Sequence, residues 1–131
     1  MCLDFGISKS FYVTPDIDTA IQWAQSTRFN NEGGILIFFV NTNQCRKLKV
    51  FESATDEWKT LVRLCKRKYN DLDSYYFVFG PMLQNFKQIT QKIAKAKTHQ
   101  PIKWQMASKS NSSDAFLQKH MLGAIIIKKM A

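Results

Sequence analysis

The chain has 131 residues, 45% of them hydrophobic and 13% aromatic, which fits one globular domain over residues 1–131 with a single core. No run reaches the roughly 18 apolar residues that a membrane span requires, and the N-terminus lacks the charged-then-apolar layout of a signal peptide, so a cytoplasmic address without a membrane partner is expected. The formal charge of +9, from 19 Lys+Arg against 10 Asp+Glu, favours anionic partners such as nucleic acid, phosphates or acidic proteins without selecting among them.

In chain order, Ser10 to Thr14 read as a strand in which Phe11 and Val13 point one way and Ser10, Tyr12 and Thr14 the other. Thr14 reads as a helix N-cap, Pro15 as a first-turn residue, and Asp16 and Asp18 as acidic complements to the helix dipole. Ile17, Ala20, Ile21 and Ala24 recur at helical spacing and form the core-facing stripe, with Trp23 to one side of it at the margin of a pocket. Asn30 to Gly34 are loop by composition and feed Ile35–Val40, an unbroken apolar run that predicts a central strand buried on both faces. Val50 and Phe51 extend a short edge segment before a helix start at Ser53 to Asp56, whose inner face carries Trp58, Leu61, Val62 and Cys65.

Asn70 to Ser74 form a turn into a strand from Tyr75 to Phe79, which Gly80-Pro81 ends. Phe86, Ile89, Ile93 and Ala96 support a peripheral helix from Gln84 to Lys97. Ile102, Trp104 and Met106 alternate with Lys103, Gln105 and Ala107, so a strand there turns its apolar set inward and Gln105 to the other face. Ser112-Ser113-Asp114 start a short helix through Leu117, and Gly123 precedes a last strand from Ala124 to Ile127. The alternation of strands and helices would, by itself, suggest a parallel α/β sheet.

Cys2, Cys45 and Cys65 are odd in number and scattered, which points to neither a disulfide framework nor a zinc site. His99 and His120 are the only histidines and stand at no metal-ligand spacing. Neither a Walker loop nor a dinucleotide-fold glycine motif occurs. The basic clusters, including Arg46-Lys47-x-Lys49 and Lys66-Arg67-Lys68, read as solvated faces or helix ends.

One resemblance runs nearly end to end. Leu3-Asp4-Phe5-Gly6, the strand Ser10-Phe11-Tyr12-Val13-Thr14, the helix Ala20-Ile21-Gln22-Trp23-Ala24, the turn Gly80-Pro81-Met82 and the strand Gln105-Met106-Ala107-Ser108 resemble the ADP-ribosyltransferase superfamily. They are closest to a group of small bacterial and fungal domains of unknown function with that fold, related to the poly(ADP-ribose) polymerase branch. The resemblance implies an α+β fold with a split two-sheet core, in place of a parallel sheet. It also implies NAD as substrate, a nicotinamide sandwiched between Tyr12 and Trp23, and Ser10 and Thr14 beside them. Gln105 matches the late-strand residue that holds the ribose hydroxyls or activates the acceptor.

Two departures bear on activity. The superfamily's first strand carries a histidine or arginine that holds the NAD ribose or phosphate, and the sequence as given begins at Met1 without it. The turn Gly6-Ile7-Ser8-Lys9-Ser10 has Ser10 where active relatives favour a second glycine. Gln105 can hydrogen-bond hydroxyls but its amide does not titrate, so it would position and not deprotonate. The expectation is therefore an NAD-binding domain, truncated or degenerate, that would transfer ADP-ribose to a protein or nucleic-acid acceptor. The alternative is a non-catalytic basic module that binds nucleic acid or protein on the same scaffold. A sheet edge left without the first strand would invite a homo-oligomer.

Overall fold

The computed structural model describes residues 11–25, 32–66, 75–85 and 96–128. Six strands and three α-helices lie in these residues: β1 (Phe11–Val13), α1 (Ile17–Ala24), β2 (Glu32–Phe38), β3 (Leu48–Val50), α2 (Asp56–Lys66), β4 (Phe77–Pro81), β5 (Trp104–Ser108), α3 (Asn111–Lys119) and β6 (Met121–Lys128). They form a four-stranded sheet in the order β1-β5-β4-β3 and a two-stranded sheet, β2-β6. Only β3 and β4 run parallel; the other pairs are antiparallel. The architecture is mixed α+β, and the parallel α/β sheet that strand-helix alternation suggests does not form. Among the described residues, only the β3-α2-β4 segment joins parallel neighbours through a helix, whereas β1-β5 and β2-β6 pair strands distant in sequence and antiparallel.

The four-stranded sheet has a core on each face. Tyr12, Val78 and Ala107 pack with Phe51, Trp58 and Val62, which brings α2 onto one face. Phe77 and Met106 pack with Leu117, Val13 and Phe38 on the other, where α3 and the end of β2 lie. Trp58 is fully buried, and its indole Nε1–H donates to the Pro81 carbonyl at 3.1 Å, so a large ring is buried without an orphan donor. The first turn of α2 is held by the Thr55 hydroxyl, which accepts the Trp58 N–H at 3.2 Å.

Helix α1 begins two residues later than the sequence suggests. Asp16, not Thr14, is its N-cap residue, and the Thr14 hydroxyl instead accepts the Asp16 N–H at 3.1 Å and donates to the Trp104 carbonyl at 2.7 Å. The predicted apolar stripe is only partly interior: Ala24 is buried, while Ile17 is exposed. The run Ile35–Val40 does not form a central strand. Its first four residues, Ile35–Phe38, are the latter part of β2 in a two-stranded sheet, with Leu36 and Ile37 exposed, and Phe39 and Val40 lie beyond the strand. An unbroken apolar run records hydrophobicity on both faces, but a partner for each face must come from tertiary structure.

Helix α3 starts at a capping box in which the Ser110 hydroxyl accepts the Ser113 N–H and the Ser113 hydroxyl accepts the Ser110 N–H, each at 3.0 Å. Sequence reading placed this start two residues late. Ile102 lies outside β5 and is exposed, whereas Met106 is buried as expected. Most of the Gln84–Lys97 helix expectation falls outside the described residues. No helix among the described residues is long and apolar enough to cross a membrane.

Candidate functional site

The register of β1 on β5 decides which candidate residues meet. Tyr12 lies opposite Ala107 and Val13 opposite Met106. Side chains opposite each other share a face, and residues two apart along a strand share it too. Tyr12, Ala107 and Gln105 therefore stand on one face of the sheet, with Gln105 on the diagonal from Tyr12 at about 7–8 Å between backbone positions. On the next strand the residue directly opposite Gln105 is Gly80, with Val78 on the diagonal of the same face. Gln105 is 4% exposed and Tyr12 half-buried. Thr14 closes the end of this strand pair through its bond to the Trp104 carbonyl, one peptide before Gln105.

Val13, Met106 and Phe79 point to the opposite face, and there the sheet borders a cavity of about 630 Å³. Its other walls are α1, through Ile17, Ala20 and Trp23, and β2, through Gly34 to Phe38. Tyr12 and Thr14 border it from the edge strand. Gln105 does not line it. Tyr12 and Trp23, expected to share a pocket, both line this cavity; Tyr12 also packs against the core on the Trp58 side, and Trp23 is 42% exposed. Ser10 lies outside the described residues.

Sequence reading missed Phe38, Phe79 and Met106 as cavity residues. A signal for their side was present in the alternation of Phe11 and Val13 against Tyr12, but their meeting depends on pairings between segments far apart in the chain.

Electrostatics around these faces is sparse. The Asp16 carboxyl is held below its ordinary value, chiefly by the Thr19 hydroxyl, which donates to its Oδ2 at 2.7 Å. Burial pushes the Cys45 thiol up, which makes it less nucleophilic. Two residues of the first basic cluster are engaged locally: the Lys47 ammonium lies 4.8 Å from the Tyr76 ring centroid, and Lys49 lies 5.2 Å from that of Phe51 and 3.1 Å from the Glu57 carboxylate. His120 stacks on Phe116, with Nδ1 at 2.8 Å from the Phe116 carbonyl. Among the described residues no group of His, Cys, Asp and Glu is placed to hold a metal ion.

No curated protein and no solved structure matches the chain. Residues 2–119 match the model of a family described as a protein of unknown function, DUF3990, and the chain belongs to that family.

Proposed function

We propose that this chain is an NAD-binding domain of the ADP-ribosyltransferase type, one that holds the dinucleotide weakly and transfers ADP-ribose poorly. The observation that carries the reading is the β1-β5 register. The resemblance assigns ring stacking to Tyr12 and ribose holding to Gln105, and the register makes these residues diagonal neighbours on one sheet face. Trp23 borders the cavity that Tyr12 also lines, and Thr14 acts as a structural tie between β1 and β5.

The chemistry follows from the side chains. An ADP-ribosyl transfer breaks the bond between nicotinamide and ribose through an oxocarbenium-like state. The Gln105 amide can donate to and accept from ribose hydroxyls, which orients the sugar, but it takes no proton from an acceptor. Catalysis needs acceptor and ribose in near-attack geometry, and the loss of one positioning contact can cost about a hundredfold in rate. Binding is therefore expected to outlast turnover.

The test is NAD binding by saturation-transfer NMR, together with transfer of labelled ADP-ribose into a cell lysate. Weak binding that Gln105→Ala and Tyr12→Phe diminish, with little labelling, is the expected result, provided that circular dichroism shows both variants folded. An absence of NAD binding, or binding indifferent to both substitutions, would overturn the assignment of this face. Robust labelling that depends on Gln105 would overturn the expectation of poor transfer.

A further inference from the structure

The cavity on the other face of the sheet has a composition of its own. Among the described residues, none of those lining it carries a charge, in a chain where 22% of residues are Asp, Glu, Lys or Arg. The Thr14 hydroxyl at its border is already committed to the Trp104 carbonyl and the Asp16 N–H. Three of its rings are engaged in ring contacts: Phe11 meets Phe38 edge-on at 6.1 Å, and Phe79 stacks on Trp104 at 5.5 Å. What the walls offer an occupant is mainly aliphatic. A cavity of about 630 Å³ is within the range of sites that take small molecules. Ile17, Trp23 and Leu36 on its walls remain 56%, 42% and 51% exposed, apolar surface that an apolar occupant would remove from water.

We propose that this cavity, which Tyr12 borders and Gln105 does not, binds a neutral aliphatic chain. A pyrophosphate has no cationic partner among the described lining residues, and burying its charge there would be unfavourable. A neutral chain needs only shape and apolar contact. The cavity lies across the sheet from Gln105, so filling it does not occupy the Gln105 side.

The test titrates the full chain with 1-octanol, read by tryptophan fluorescence and by ligand-observed NMR. The expected result is a saturable blue shift that Trp23→Phe abolishes while the NMR signal persists, because Trp58 is already buried and Trp104 is stacked on Phe79. Leu36→Glu, at a half-exposed position that tolerates a carboxylate in the unliganded fold, should weaken octanol binding about tenfold or more by placing a charge beside the chain. Saturating NAD should leave octanol binding unchanged. The proposal is overturned if octanol gives no saturable signal, or if Leu36→Glu binds it as the unaltered chain does. It is overturned also if NAD displaces octanol, which would make the cavity part of the nucleotide site. Loss of octanol binding in step with dimer formation in sedimentation would give the cavity to a second copy and overturn it too.

Discussion

Single residues fix the closest approaches in this molecule. Gly33 lies where a Cβ would fall 2.0 Å from the Ala24 carbonyl oxygen, a backbone atom that cannot swing aside. Gly33→Ala therefore forces α1 away from β2, and a loss of about 1–3 kcal/mol or more in urea unfolding is expected. Asp16 gives a second residue-scale prediction. Its folded-state pKa lies below the ordinary value because the Thr19 hydroxyl bonds the ionised form, so its contribution to stability is present above that value and is lost as the pH falls through the folded pKa. Thr19→Val should lower the melting temperature at neutral pH, and the difference from the unaltered chain should shrink in acid below the ordinary aspartate value of 3.8. A difference that stayed constant from neutral pH to pH 3 would assign the effect of Thr19 to packing alone.

At the scale of elements, α3 depends on its start. Ser110 and Ser113 exchange hydrogen bonds, and the buried Ser108 hydroxyl lies 2.7 Å from that of Ser113 and 2.6 Å from Asp114 Oδ1. Ser110→Ala removes one acceptor from the first turn and should cost about 0.5–2 kcal/mol, measured by chemical denaturation. The serines around this turn were visible in the sequence, but Ser112 and Asp114 share the composition of a cap, and only the backbone conformation distinguishes Ser110. Helix α1 shows the same limit. Its acidic first turn and apolar spacing were legible, while the role of Thr14 as a tie to Trp104 required knowing that β5 lies beside β1. Residues Ile35–Val40 were legible as strand, but the number of faces covered was not, since that is set by β6 and α1.

For the molecule as a whole, the mixed α+β class followed from sequence motifs and Tyr12 and Trp23 were legible as pocket residues, whereas the rest of the cavity was not. Its walls come from β1, α1, β2, β4 and β5, and no local pattern encodes how such segments meet. The two sheets also differ in support. The four-stranded sheet is covered by buried side chains on both faces, while the two-stranded sheet leaves Leu36, Ile125 and Ile126 exposed. Two strands without full cover open more readily than a packed sheet. Native-state hydrogen exchange should therefore be faster in β2 and β6 than in β4 and β5, by about tenfold or more where local opening is about 1.4 kcal/mol easier. Equal protection in both sheets would mean that they open as one unit.

The pairings β1-β5 and β2-β6 each join an early segment to a late one. During synthesis, β1 and β2 emerge long before the strands that complete their hydrogen bonds, and they must wait through most of translation without them. Non-local pairing of this kind slows folding, because the intervening chain has to be closed into a loop before any ladder forms. A nascent chain ending near residue 100 would hold α2 and the parallel β3-β4 pair but neither antiparallel partner, so protection of β1 and β2 should appear only after β5 and β6 have cleared the ribosome.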